Sequence, residues 1–330
     1  MARPEPPPSD RSLRTVTDAS TAALRPGPIL VAFLLMIAAS YSLCAQCFLH
    51  TDPTESDDWQ RAADYVVDRA EVTDGIRVHP TWSETPLPHL RDVGNLLHRH
   101  HHPLLEDFVG IERLLIISES GRTDDALDRL PFDADVDETT DFDTVTVLEV
   151  TIPPELRITT DLTHHLSEAT VAYRGDGDES RCPSARRDDE TFRCDGNNRD
   201  AEVRSVLMEV EDEPRRCIQA YPPSGDRHLA VETSIETADV LRIRAGLDRR
   251  AARLERGGDV IYRLYVDGEQ IADERVDAHT SEWQFHDVPT DGPSAEVRIE
   301  VESVAPRPHH RRFCFNAWPL TDVQRSVETR

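Results

Sequence analysis

The second half of this sequence consists of short runs in which apolar and polar residues alternate. Beyond Pro154 the runs read EATVAYR, AEVRSVLMEVE, HLAVETSI, VLRIRAGL, VIYRLYV, EWQFHDV and AEVRIEVESV. A period of two places the apolar side chains on one face of a β-strand. Asp267-Gly268, between two such runs, is a two-residue hairpin signal. Seven or more short strands over residues 160–320 predict an antiparallel β-sandwich of the jelly-roll type.

Residues 57–155 instead mix helical and strand patterns. Apolar residues recur at helical spacing after Asp57 and Asp58, either of which is a suitable N-cap. Strands are predicted at 75–80, 113–120 and 144–152, and helical segments at 87–100, 103–110 and 124–130. The unbroken apolar centre of RLLIISES (113–120) is typical of a strand covered on both faces, as in a parallel sheet. We therefore predict a small Rossmann-like α/β layer domain, and an α+β multidomain chain overall.

Ile29 to Leu49 is an uncharged, strongly apolar segment of twenty-one residues, which is long enough to cross a bilayer as a helix. Basic residues flank only its N-terminal side, so the positive-inside rule predicts a cytoplasmic N-terminus and a bulk outside. A signal cleaved near 38–40 is the alternative. We expect a single-pass anchor behind a disordered tail at 1–28, with a second tail at 321–330. In a bacterium this places the protein in the inner membrane with its bulk in the periplasm.

The charge balance disfavours one class of partner. The formal net charge is −26, and all 37 basic residues are arginine. Nucleic-acid binding requires a local excess of positive charge, so we expect no nucleic-acid partner. The acidic residues are spread along the chain, which is typical of a solvated surface.

Four cysteines follow the apolar segment, and an oxidising compartment would allow them to pair. CIQAYP at 217–222 and CFNAWP at 314–319 match almost position by position, which indicates two strands in similar environments. We predict one bridge between Cys217 and Cys314. A second, between Cys182 and Cys194, would close the polar loop at 175–200. A zinc site is the alternative, although the spacings fit no common zinc finger.

Candidate ligand residues cluster in the first half. His98 and His102 have the i, i+4 spacing of metal ligands on a helix, although no HExxH motif is present and an exposed helix end is the alternative. Ser118 and Ser120 follow a predicted buried strand, where α/β sheets tend to bind ligands. Trp82, in a polar loop near His79, could offer an aromatic face to a sugar. No dinucleotide-binding, Walker or nucleophile-elbow motif occurs, so we expect no cofactor.

Two stretches resemble known families. DWQRAADYVVDRAEVTDGIRVHP (58–80), with RLLIIS and TVTVLEVTI, resembles the soluble domain of multi-pass glycosyltransferases of the dolichyl-phosphate-mannose type. This chain has one apolar segment rather than many, so no catalytic residue of that family can be transferred to it. Residues 215–318 are similar to galactose-binding-like jelly rolls attached to envelope glycosyltransferases.

These patterns together predict a membrane-anchored accessory protein that is not an enzyme. We expect it to bind a glycan or a glycosyltransferase partner during assembly of envelope polysaccharide or glycoprotein. Two alternatives remain open at this point. One is a hydrolase or metal-dependent enzyme that uses the region from His98 to His102, and the other is a structural spacer.

Overall fold

A four-stranded mixed sheet forms the first layer of the computed structural model. The structure describes residues 31, 33–42, 53–91, 93, 95–97, 102–175, 177–184, 191–194, 202–210, 213–223, 226–254, 258–304 and 311–328. Helix α1 (Pro53–Arg69) precedes strands β1 (Asp74–His79), β2 (Arg113–Glu119), β3 (Val136–Phe142) and β4 (Val145–Thr151). A 3-10 turn (Leu105–Phe108) lies before β2, and a second (Ser120–Arg122) with helix α2 (Thr123–Asp128) follows it. The strand order is β1-β2-β4-β3.

Strand β2 is covered on both faces, as its apolar sequence predicts. On one face α1 packs with Trp59, Ala62 and Val66 against the sheet. On the other face Leu114 and Ile116 join a second core. The expectation of a parallel sheet was wrong beyond the first pair. Strand β1 pairs with β2 in parallel, whereas β4 is antiparallel to both β2 and β3. An unbroken apolar run indicates that a strand is buried on both faces. It does not indicate whether the neighbouring strand is parallel or antiparallel.

Three local predictions in this layer need correction. In the segment predicted to be helical at 87–100, residues 87–91 form turns. Leu96 forms an isolated parallel β-bridge with Ile76. Strand β3 was missed because its residues are mostly exposed and carry no apolar pattern. Asp58 lies within α1 rather than at its cap, and its carboxylate accepts hydrogen bonds from the amide and hydroxyl of Thr144 at 3.1 and 2.8 Å.

Two six-stranded antiparallel sheets form the predicted β-sandwich. We call them the outer sheet, ordered β13-β12-β15-β10-β5-β6, and the middle sheet, ordered β14-β11-β16-β9-β8-β7. Their strands are β5 (Thr170–Gly175), β6 (Asp178–Arg181), β7 (Thr191–Arg193), β8 (Glu202–Val210), β9 (Glu213–Ala220), β10 (His228–Glu236), β11 (Val240–Leu247), β12 (Val260–Val266), β13 (Glu269–Val276), β14 (Gln284–Pro289), β15 (Ser294–Ser303) and β16 (Phe313–Leu320). Four short helical segments complete the fold: Pro154–Leu156, Leu166–Glu168, α3 (Arg249–Ala252) and α4 (Asp322–Glu328).

The hairpin and disulfide predictions are confirmed. Asp267 and Gly268 join β12 to β13 with φ of 50° and 82°, the positive values that a tight hairpin turn requires. The bridges Cys182–Cys194 and Cys217–Cys314 are both formed. The polar loop at 175–200 was predicted without strands, yet β6 and β7 lie within it. Their side chains are mostly polar or exposed, so they lack an apolar pattern.

The central strands of the middle sheet, β11 and β16, are covered on both faces. Their inward side chains, such as Ile243 and Phe315, join those of the outer sheet in the sandwich core. On their other face Trp318 and Leu320 belong to the core beneath β2 and β4. Residues from Pro53 to Arg330 accordingly form one compact unit. The sequence predicted separate domains at 57–155 and 160–320. That these two parts fold independently stays a prediction.

The N-terminal unit, Met1 to Asp52, is separate. Of the predicted span from Ile29 to Leu49, the structure describes residues 31 and 33–42, which are helical, and the rest lie outside the described residues. Within the described part of the chain, no helix combines the length and apolarity needed to cross a membrane.

Candidate functional site

Several of the predicted ligand residues meet at the carboxyl end of the parallel pair β1 and β2. His79, the last residue of β1, pairs in register with Ser118 of β2, and both side chains are buried. Trp82 follows β1 by three residues, and Ser120 begins the turn after β2. Carboxyl ends of parallel strands lie at one edge of a sheet, and ligands of α/β sheets commonly bind there.

His79 is held in one orientation by a carboxylate. Its Nε2 lies 2.9 Å from Oδ2 of Asp125, whose other oxygen accepts a hydrogen bond from Nε of Arg129 at 3.1 Å. That bond from Arg129 lowers the pKa of Asp125, and burial lowers the pKa of His79. The imidazole is therefore neutral at pH 7, with Nε2 donating to the ionised Asp125. Nδ1 has no hydrogen-bond partner among the described residues.

A buried cation lies behind this histidine. Arg77, two residues earlier on the same face of β1, is fully buried and donates through Nη1 to the carbonyl of Ala126 at 3.1 Å. Burial lowers the pKa of Arg77 to about 10, so the guanidinium is still charged at neutral pH. A positive charge beside His79 further disfavours its protonation.

The two serines are engaged by neighbouring groups. Ser118 donates its hydroxyl to the carbonyl of Glu119 at 3.1 Å, and Ser120 donates to the carbonyl of Asp143 at 3.2 Å. Thr146 in turn donates to Ser120 Oγ at 3.0 Å. A nucleophilic serine needs a base within hydrogen-bond reach, and these contacts do not supply one.

Trp82 is the exposed element of this edge. Its residue surface is 65% exposed, and the guanidinium carbon of Arg122 lies 5.4 Å from the ring centroid. Arg122 Nε also pairs with the Glu119 carboxylate at 2.8 Å. We call Trp82, Glu119 and Arg122 the Trp82 ledge. It combines a large aromatic face with a hydrogen-bond donor and an acceptor.

The histidine cluster is not tested by the structure. His98 lies outside the described residues, and His102 is exposed. Over the described ranges, no three His, Cys, Asp or Glu side chains are grouped to hold a metal ion. The metal site at His98 and His102 stays a prediction.

A second arginine–tryptophan cluster was missed by the sequence analysis. Arg244, only 1% exposed, lies between the rings of Trp283 and Trp318 at 4.8 and 4.9 Å. Its Nη1 donates to Glu106 Oε1 at 2.8 Å, and this ion pair joins the middle sheet to the first layer. We call these four residues the Arg244 cluster. Arg242 and Arg244 alternate with apolar residues, a pattern typical of a solvated strand face, but the first layer covers that face.

No family model matches this chain, and no curated protein matches it. Among solved structures, the CBM51 module of Clostridium perfringens GH95 in complex with methyl-galactose is 15% identical with a TM-score of 0.28, over 35% of this chain and 80% of that one. The tandem CBM51 modules of Sp3GH98 from Streptococcus pneumoniae SP3-BS71 are 13% identical with a TM-score of 0.29, over 53% and 55%.

A third structure, CBM51-2 in complex with GlcNAc and INT domains of Clostridium perfringens ZmpB, is 15% identical with a TM-score of 0.29. That match covers 57% of this chain and 40% of the other. At these scores the similarities carry no conclusion about the ligand of this chain. The resemblance of 58–80 to a glycosyltransferase domain finds no counterpart among these matches.

Proposed function

We propose that this protein binds a neutral glycan, without cleaving it, on the Trp82 ledge. The main support for this proposal is the exposure of Trp82 at the carboxyl edge of β1 and β2, beside the ion pair of Arg122 and Glu119. An indole face packs on the C–H face of a pyranose ring. A guanidinium donates hydrogen bonds to the hydroxyls of the sugar, and a carboxylate accepts hydrogen bonds from them. At 65% exposure, the indole has free area that a sugar ring can cover.

The charge of the protein narrows the ligand class. A net charge of −26 creates a field that repels polyanions, so uronic-acid and phosphorylated glycans are disfavoured. Neutral hexose polymers experience no such repulsion.

Native affinity electrophoresis tests the proposal. Gels containing galactomannan, mannan or dextran should retard the full-length protein, and gels containing alginate should not. W82A should weaken retention at least about tenfold, the loss typical of a central aromatic contact. V72A, which truncates another exposed apolar side chain, is the matched control. Equal retention of W82A and wild type would refute the assignment to this ledge.

We also propose that the protein is anchored by residues 29–49 in a bacterial inner membrane, with the bulk in the periplasm. The uncharged segment and its basic N-terminal flank support this location. The two disulfides also support it, because such bonds persist in oxidising compartments. Protease added to intact spheroplasts should digest the bulk of the chain and spare the N-terminal tail. Full protection of the bulk would contradict this topology.

The association with a glycosyltransferase stays a proposal that rests on the resemblance of residues 58–80. A glycan-binding protein anchored beside a transferase would hold the growing polymer near the enzyme. Cross-linking in membranes followed by purification of the full chain should then recover a transferase. Recovery of none would leave glycan binding as the whole of the function.

A further inference from the structure

Three cavities border residues 104–107, where the first layer meets the middle sheet. Their volumes are about 870, 520 and 240 Å³. Ligand pockets usually have volumes of about 300–1,000 Å³, so the smallest falls below that range. Its carboxylates are also engaged, since Glu106 pairs with Arg244, Asp107 with Arg215, and Asp161 with His164.

The largest of these three cavities lacks the chemistry for a polyol. Its lining combines apolar side chains with four carboxylates: Asp124, Asp128, Asp133 and Glu155. None of its lining side chains is a hydrogen-bond donor at neutral pH. A saccharide hydroxyl both donates and accepts, so this lining would satisfy only half of its hydrogen-bonding capacity.

The cavity of about 520 Å³ has an aromatic face, donors and acceptors together. Leu104, Glu106, Arg242, Phe285 and Asp287 line it, and we call it the Phe285 cavity. Phe285 is 46% exposed on β14, an edge strand of the middle sheet. Asp287, two residues further, lies on the same side of the strand.

Arg242 and Asp287 form a fixed donor and acceptor pair across β11 and β14. They are opposite each other in register. Arg242 donates through Nε and Nη2 to the two carboxylate oxygens at 2.6 and 2.8 Å. This bond lowers the pKa of Asp287, which keeps it an ionised acceptor. Each carboxylate oxygen can accept more than one hydrogen bond, and Asp287 is one-third exposed.

We infer that the Phe285 cavity is a second saccharide site, which takes one neutral pyranose ring of the same glycan. The ring stacks on Phe285, and its hydroxyls bond to the Arg242–Asp287 pair. This inference rests on the proposed glycan-binding function and makes the protein bivalent. Two weak sites on one polymer bind it more tightly than either alone, because the second contact is intramolecular.

Single and double variants separate the two sites in the same affinity gels. With galactomannan, mannan or dextran, F285A should weaken retention at least about tenfold. The double variant W82A/F285A should lose the residual retention that W82A keeps. F285W, which keeps an aromatic ring at this position, should retain the binding that F285A loses. I271A, which truncates an exposed side chain of the outer sheet, is the control. Unchanged thermal unfolding of F285A shows that the variant is folded.

The possible results test the Phe285 cavity and the Trp82 ledge separately. If F285A binds as wild type and W82A alone abolishes retention, the Phe285 cavity is not a site, and the Trp82 ledge stands. If W82A binds as wild type and F285A abolishes retention, the second site stands, and the ledge falls. If no neutral polysaccharide retards the wild type, both proposals fail.

Discussion

The Trp82 ledge and the Arg244 cluster use the same pair of side chains in opposite surroundings. Arg122 lies over an exposed indole at 5.4 Å, whereas the buried Arg244 lies 4.8 Å from the half-buried ring of Trp283 and 4.9 Å from the buried ring of Trp318. Exposed cation–π pairs contribute about 0.5–1 kcal/mol, and desolvated ones about 2 kcal/mol or more. The buried pair is therefore structural, while the exposed pair is available to a ligand at little cost in stability.

The electrostatic setting sharpens this difference. Burial lowers the pKa of Arg244, and the Glu106 carboxylate opposes that effect by favouring its charged form. A buried ion pair costs desolvation when it forms, but the loss of one partner leaves the other charge uncompensated. In the ledge, Arg122 and Glu119 are both partly exposed, so water replaces whichever partner is removed.

The largest effect on stability is expected for R244M. The substitution leaves the buried Glu106 with only Arg215, at 4.0 Å, as a nearby cation, so the free energy of unfolding should fall by about 3 kcal/mol, the lower end for a broken buried pair. Chemical denaturation of the full chain measures this loss. R242M is the matched control, because Arg242 lies on the same face of β11 but pairs with the partly exposed Asp287. E106Q/R244M should recover part of the loss. Equal small losses for both single variants would remove the distinction between the two regions.

An intermediate effect is expected at His79, which is buried yet lies beside the ledge. Burial lowers the pKa of His79 in the folded state below the value of about 6.5 of an unfolded chain. At pH values between these two pKa values the unfolded chain therefore binds more protons than the folded protein. The free energy of unfolding should therefore fall as the pH drops from 7 to 5. H79Q should reduce this dependence in denaturation series at several pH values. Because burial also lowers the pKa of His286, H79Q/H286Q should reduce it further. An unchanged slope in H79Q would contradict the assignment.

The smallest effect on stability is expected for R122A. The exposed ion pair with Glu119 and the exposed cation–π contact with Trp82 each contribute at most about 1 kcal/mol, so the free energy of unfolding should fall by less than about 2 kcal/mol. Retention in galactomannan gels should nevertheless weaken, because the ledge loses its donor. R181A, which removes an exposed arginine from β6, should change neither property. A large loss of stability in R122A would show that the ledge is structural, like the Arg244 cluster.

Much of the local structure could be predicted from sequence periodicity. The alternating runs identified the sandwich strands, and Asp267-Gly268 identified the hairpin between β12 and β13. The matched segments CIQAYP and CFNAWP correspond to β9 and β16, which pair with each other and carry Cys217 and Cys314. Strand β3 and the strands at 175–200 were missed because exposed edge strands need no apolar pattern.

The candidate site could be predicted only in part. His79, Ser118, Ser120 and Trp82 were identified because they lie at or just after the end of a strand, but the sequence did not indicate that Asp125 holds His79 or that Arg122 lies beside the Trp82 ring. The Phe285 cavity was not predicted, since Arg242 and Asp287 are forty-five residues apart and meet only across two strands.

Short-range features of this protein are encoded locally in its sequence: the strand periods and the hairpin turn. These follow from steric and hydrophobic preferences that act within a few residues. Tertiary structure alone decided that the first layer covers the middle sheet, and so which arginine is buried and which is exposed. Arg122 and Arg244 have the same side chain, and the difference between them comes from long-range packing against Trp82, Trp283, Trp318 and Glu106.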